Sequence, residues 1–561
     1  MAPVPSPPSR KRKAEDRGVS VGGGGGGGSP GPLADLTSLL GEEGFGADGI
    51  AVREHPSGGM GMFASRDLAA GEAVRGEAGL PAESVLDPAE VLAAHPTALA
   101  AAARGGASAR MAFWMALAAM AADAEARVTE NIGGGGEGGE SRHDAYLRSL
   151  PRVAPDPLSW SSEEREALLG GTAVVRQTER ELARLRAQYA EAVGRMRPEG
   201  KDAEGKAAPK VAVPPFDVGG IGAFPSVLWA RGVHSSRSFP RSLKDAAFVA
   251  SNDGTPGGAV LRVRLGDWRA PRIAYSGPRD TATGAEVGAN TVDGSGPGRG
   301  DGDGGGEPGE DKGAEVLGIM LPFYDLLDHR CGHPISWEAG GRRLRFRLIE
   351  AVPAGGPIWN NYGPKGNAEL LLTYGFCVRN NPLDSVEGIV LGCPCPAAGG
   401  ETGDEERLLY RERMALLAEH ALPHSVGRGC LRLGPFSLHR QLPGQEGDGD
   451  GDREGGVIRD SVLPPELLFA LAIAGMESVE EGPGVTLDEI EMLKDELTGR
   501  LKELRWAGKA AEGALPHTRA EFAAAYKDGQ RELLQAALEE LEVLAGGGSE
   551  EDVDQVDGSG A

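Results

Sequence analysis

Aromatic side chains are scarce in this sequence of 561 residues, at 5% of the total, and cysteine occurs only five times. An odd number of widely spread cysteines makes no disulfide framework and points to a reducing compartment. No apolar run approaches the ~20 residues of a membrane span. The nearest, Met111 to Ala122, is bounded by Arg110 and Asp123 and reads as a buried helix, so a soluble protein is expected. Positive charge is also in deficit. The 58 Lys and Arg against 83 Asp and Glu leave a net charge of −25. That balance disfavours a general binder of nucleic acid or anionic membranes and is compatible with a basic protein partner. Glycine is the excess, at 88 residues, so much of the length is loop and low-complexity filler.

The filler falls in separate blocks. Residues 1–44 read as a tail with a basic cluster, Arg10 to Lys13, of the nuclear-import kind, followed by the glycine run Gly22 to Gly28. With no apolar signal core, and with Glu15 and Asp16 beside the cluster, the expected compartment is the nucleus or cytoplasm rather than a plastid. A Gly/Asp/Pro-rich insertion covers about 276–313, and an acidic tail covers 546–561. Asp301 to Gly304 and Asp448 to Asp452 hint at calcium loops, but the first lacks the fifth-position ligand, the second has Arg453 where the turn glycine belongs, and neither has Glu at the twelfth position. Cys393 and Cys395 lack a second ligand pair for tetrahedral zinc. No metal is expected.

The densest chemistry lies between Pro357 and Phe376. Its apolar front breaks at a Gly-Pro turn, Gly363-Pro364, so a strand stops there. Asn367 is placed to cap a short helix buried by Leu370, Leu371 and Leu372, and Gly375 to end it. Tyr362 and Tyr374 bracket the unit, so a strand end and a helix end deliver two phenols to one place. The run Tyr362-Gly363, Asn367-Ala368-Glu369-Leu370, Tyr374-Gly375-Phe376 resembles the C-terminal signature of SET-domain methyltransferases. The branch it resembles contains the Rubisco large-subunit lysine methyltransferase and the actin-histidine methyltransferase.

Other patches follow in the order of that branch. Gly59-Met60-Gly61 resembles the opening turn, where the resemblance implies close approach of backbone to cofactor. Tyr146 to Pro151, Pro157 to Trp160 and Leu168 to Gly171 resemble its helical insertion. Val227 to Phe239 closes that insertion, and Arg237 is implied to hold the cofactor's carboxylate. Asp325, Asp328 and His329 match the motif that cradles adenosine. Asp328 stands where the family carries Asn, keeping an acceptor and losing the amide donors. Tyr362 and Phe376 are implied to border the cofactor as well, and Asn380 to Val386 ends the SET portion. Helical patterns at Glu405–His420, Pro464–Ala474, Thr486–Trp506 and Arg519–Leu544 resemble the branch's substrate-binding domain.

The resemblance implies an α+β protein: a SET domain of small, curved, mainly antiparallel sheets over 45–390, with a helical insertion at about 87–250. An all-α substrate-binding domain follows over 391–545. It implies methyl transfer from S-adenosyl-L-methionine to a protein side chain, with a monomer expected. A lysine amine, with a pKa of about 10.4, must lose its proton first, at a cost of about 3 pKa units at neutral pH. Burial among aromatic rings supplies part of that, and Tyr362 and Tyr374 are the expected catalytic lining. Ser238 and Phe239 favour lysine, with histidine as the alternative; a non-catalytic, protein-binding scaffold is the second.

Overall fold

Short runs of alternation separated by wide gaps dictate several small sheets rather than one large one. The computed structural model describes residues 49–54, 60–74, 76, 79–95, 98, 107–132, 143–196, 224–244, 260–263, 273–276, 317–340, 342–394, 404–427, 430–440, 461–480, 482–504 and 518–546. The tail 1–44 with its basic cluster, Gly59, nearly all of the 276–313 insertion, both Asp/Gly loops and Cys395 lie outside them.

β1 (Ile50–Glu54) pairs antiparallel with β2 (Met60–Ala64), with Arg53 opposite Gly61. β3 (Ala73–Val74) and β4 (Leu80–Pro81) lead to α1 (Pro88–Ala93). The helical insertion then runs through α2 (Ala107–Ile132), α3 (Asp144–Ser149), α4 (Ser162–Leu169), α5 (Ala173–Met196) and α6 (Phe224–Arg237). Ser161 caps α4 by accepting the Glu164 N–H at 3.1 Å.

After α6 come β5 (Ser238–Phe239), β6 (Val260–Val263), β7 (Ile273–Ser276) and β8 (Ile319–Met320); β5 pairs with β8 and β6 with β7. β9 (Asp328–His329), β10 (Ile335–Gly340), β11 (Arg343–Leu348) and β12 (Trp359–Asn360) complete this half. Strict alternation in β11 buries Leu344, Phe346 and Leu348 on one face, and β10, β3 and β4 all pair with it antiparallel. β12 runs parallel to β9, Trp359 beside Asp328 and Asn360 beside His329. One core joins these strands to the helical insertion through Met111, Phe113, Tyr324 and Phe346.

α7 (Asn367–Tyr374) is buried by Leu370 and Leu371, each worth about 1.5–3 kcal/mol when fully covered. Its N-cap is Gly366 rather than Asn367. Asn367 is the first helical residue, and its side chain is committed to Val378 and Asp384 instead. Gly375 ends the helix in the left-handed region, at φ 79°.

A second core gathers residues between Val386 and Leu541. Four helices anticipated from the sequence are present: α8 (Asp404–Glu419), α9 (Pro465–Ala474), α10 (Leu487–Glu503) and α11 (Arg519–Gly546). The region is not all-α, however. β13 (Ser385–Pro394), β14 (His424–Gly427) and β15 (Cys430–His439) form an antiparallel sheet ordered β13-β15-β14. The α+β class holds, with this sheet added to the helical part. Among the described residues no helix is long and apolar enough to cross a membrane, and no cluster of three or more His, Cys, Asp or Glu is placed to hold a metal.

Candidate active site

The parallel β9–β12 pair brings the Asp328-His329 step beside the strand that ends at Asn360, and the chain then turns at Gly363, whose φ is +96°. Asn361 shapes that turn: its Oδ1 accepts the Gly363 N–H at 2.9 Å, and its Nδ2 donates to the His333 carbonyl at 3.0 Å. Tyr362 is held at both ends. Its backbone N–H donates to Nδ1 of His329 at 3.0 Å, and its hydroxyl donates to the Leu327 carbonyl at 2.7 Å. That bond puts the His329 proton on Nε2, which is buried without a partner. Burial, with Lys365 adding to it, pulls the imidazole down to a pKa of about 4, so it is neutral at ordinary pH.

Tyr374, from the last turn of α7, stacks on Tyr362 with ring centroids 4.8 Å apart and planes 29° from parallel. The rings touch, so together they make one wall rather than two sides of a tunnel. Phe376 packs against both, at 6.4 and 6.2 Å, and against His329 at 6.2 Å. Burial pushes both phenols far above the usual tyrosine range, with Asp328 adding at Tyr362 and Glu369 at Tyr374. Neither ionises at physiological pH.

The two tyrosines border a cavity of about 400 Å³, within the ~300–1,000 Å³ of small-ligand sites. Phe239, Leu243, Ile335 and Trp337 supply its apolar lining. Its charged edge is Arg237, at the C-terminal end of α6, in an ion pair with Asp325 at 2.9 Å. Tyr146, from α3, donates its hydroxyl to the same Asp325 oxygen at 2.8 Å. The other oxygen of Asp325 is buried with no partner.

Of the residues expected from sequence, Arg237, Asp325, Tyr362 and Tyr374 line this one cavity. His329 and Phe376 pack directly behind the tyrosines, and Asp328 lies on the same short strand as His329. Met60 and Gly61 lie on β2 and are not part of the lining; β2 joins the segment before β12 through the Ile358 N–H to the Met62 carbonyl, at 2.9 Å. Gly59 is outside the described residues. Sequence reasoning missed Trp337, Asn361 and Lys365 in the lining, and Tyr146 as the partner of Asp325. Lys365 sits inside the 357–376 stretch, and its position between two expected site tyrosines was the available signal.

The arrangement suits a zwitterionic ligand. Arg237 presents a cation to a carboxylate, the free oxygen of Asp325 can accept from an ammonium or hydroxyl, and the aromatic lining takes an apolar arm.

No family model matches the chain. It is 42% identical over 78 residues to the ribosomal lysine N-methyltransferase set10 of Schizosaccharomyces pombe, covering 13% of this chain and 14% of that protein. It is 28% identical over 181 residues to the N-lysine methyltransferase SETD6 of Homo sapiens, covering 28% of this chain and 37% of that protein. These matches therefore span well under half the length of the relatives. Among solved structures, Rubisco LSMT bound to sinefungin and monomethyllysine matches 91% of this chain and 92% of its own, with a TM-score of 0.52 at 14% identity. The chain has the SET fold of Rubisco LSMT, and the curated relatives it matches in sequence include lysine methyltransferases and the actin-histidine N-methyltransferase of Drosophila melanogaster, 32% identical over 77 residues, covering 14% of this chain and 14% of that protein.

Proposed function

We propose that this chain transfers a methyl group from S-adenosyl-L-methionine to the ε-amine of a lysine in a protein substrate. The observation that carries the reading is the meeting of the Arg237–Asp325 pair with the stacked Tyr362 and Tyr374 at one apolar cavity. The relatives named for lysine methylation, in sequence and structure, support the same reading, and the one named for actin-histidine methylation is what keeps histidine as the alternative.

When bound, the cofactor supplies an electrophilic methyl on a sulfonium. Arg237 would hold its carboxylate, and the unpaired Asp325 oxygen its ammonium. The lysine must arrive neutral, and the aromatic lining disfavours the ammonium form by excluding water. The phenol of Tyr362, held above its usual pKa chiefly by burial, is a hydrogen-bonding group rather than a base. Its proton is committed to the Leu327 carbonyl, so its oxygen is free to accept an amine N–H and aim the lone pair. The amine's excess proton leaves to water beforehand. What remains is alignment and desolvation. Lysine is favoured over histidine by Ser238 and Phe239 beside Arg237, and by Asn361, whose amide is spent on backbone groups.

The test is incubation of the protein and a cell lysate with tritiated cofactor. A labelled protein band is expected, with methyl-lysine on hydrolysis. Tyr362→Phe is expected to cut labelling about 100-fold while leaving the fold intact. No labelled band together with no measurable cofactor binding would end the reading; label on histidine would replace lysine by histidine.

A further inference from the structure

Lys365 lies between the two tyrosines in sequence and lines the same cavity. Its ammonium sits 5.9 Å from the centroid of the Tyr374 ring, and its side chain is only 19% exposed. Its backbone is fixed as well: Nδ2 of Asn381 donates to the Lys365 carbonyl at 2.9 Å. A cation at this place bears on the incoming lysine, which is an ammonium in water and must shed its proton to react in the cavity.

We propose that Lys365 is a rate-determining electrostatic residue: its positive charge lowers the pKa of the substrate amine in the cavity and so raises the neutral fraction available for methylation. The inference rests on the methyl-transfer reading above and deepens it.

Glu369, in the first turn of α7, pairs with Lys365; it is half exposed and stands outside the cavity lining, although its charge is felt at Tyr374. On the α6 side stands Arg237, neutralised by Asp325, which comes from the turn before β9. Asp328 and His329 come from β9; Asp328 acts on the Tyr362 hydroxyl, and His329 is neutral. Tyr362 and Tyr374 are neutral phenols. Lys365 is thus the cation on the tyrosine side whose counter-ion faces solvent. Its field reaches His329, where it adds to burial in lowering the pKa.

The sign is fixed by which form the field opposes. A nearby cation disfavours the ammonium form, so the amine titrates at lower pH and reaction proceeds further into acid. Lys365→Met keeps the length of the side chain and removes the charge. The acid limb of the labelling rate is expected to move up by about 0.5–1 pH unit, a loss of about 3- to 10-fold on that limb. The rates converge at high pH. Glu369→Gln removes the counter-charge and should move the limb the other way, and Lys365→Arg should restore the wild-type position.

The measurement uses the full chain, tritiated S-adenosyl-L-methionine at saturation, and the labelled lysate band as acceptor, with the rate taken from pH 6 to 10. Opposite shifts in Lys365→Met and Glu369→Gln establish the role. A profile unmoved in Lys365→Met, or lowered by one factor at every pH, overturns it while methyl transfer itself stands. Absence of labelling by the wild-type chain removes the methyl-transfer reading and this inference with it.

Discussion

Two buried aspartates, Asp325 at the cavity and Asp384 at the junction with the second core, show how differently the molecule treats the same side chain. Asp325 faces a guanidinium and a phenol with one oxygen and leaves the other without a partner. Asp384 has every oxygen occupied: Oδ1 accepts the N–H groups of Asn367 and Ser385 at 3.2 and 3.1 Å, and Oδ2 accepts Nδ2 of Asn367 at 3.1 Å. Asn367 also bonds both backbone groups of Val378, and Asn381 bridges Asn367 to the Lys365 carbonyl. Burial nevertheless raises the Asp384 pKa, with those donors opposing it. A complete polar lattice fixes the N-terminal end of α7, and an incomplete one borders the space at its C-terminal end. Buried polar groups are ordinarily satisfied, so the unfinished aspartate, because it also borders the cavity, has an acceptor to offer a ligand, and the finished one serves the architecture.

The largest effect that can break this contrast comes from removing the cation at the unfinished site. Arg237→Met leaves the Asp325 carboxylate buried with only the Tyr146 hydroxyl, and a stranded buried charge costs about 3–5 kcal/mol. Denaturant unfolding should show that loss, and calorimetric titration with S-adenosyl-L-methionine should show no binding. Unchanged stability with intact cofactor affinity would mean that the ion pair is solvated and holds nothing.

At the finished site the matching change is Gly529→Ala on α11. A Cβ there would lie 2.2 Å from Oδ2 of Asp384, which cannot move without breaking its bonds to Asn367. Overpacking of this kind costs about 2–3 kcal/mol. Cofactor at saturation should stabilise the variant and the wild type equally, because this aspartate has nothing left to offer a ligand. A loss recovered by cofactor would erase the distinction between the two sites.

Much of this architecture was legible. Helical patterns located α8 to α11 to within a few residues, the apolar run Met111 to Ala122 falls inside α2, and Gly375 ends α7 as its position required. The sheet of the second core was hidden by its own irregularity. Leu431 and Leu433 are buried in one phase of β15, and Phe436 and Leu438 in the other, with Gly434-Pro435 between them. β13 slips register on either side of Ile389, so no strict alternation survives to be read. Two-residue strands such as β9 and β12 are too short to leave a pattern, yet their pairing is what sets Tyr362 beside His329. The tyrosines, Arg237 and Asp325 could be named from motifs. Their stacking into one wall, and the supply of Tyr146 from 179 residues away, are products of tertiary packing that spacing does not encode.

The smallest change sharpens the contrast most. Tyr146→Phe keeps the buried ring and removes only the hydroxyl that donates to Asp325, a hydrogen bond to a charged group worth about 1.5–2 kcal/mol. Arg237 stays, so the carboxylate is not stranded, and the protein should remain folded with a modest fall in unfolding midpoint. The variant leaves Asp325 with still more unused acceptor capacity. A ligand that donates to this aspartate has more to gain there than in the wild type, so the rise in midpoint on adding S-adenosyl-L-methionine should be larger in Tyr146→Phe. If the rise is the same in both proteins, the cofactor does not donate to Asp325, and the open oxygen has to be assigned to the substrate side of the cavity instead.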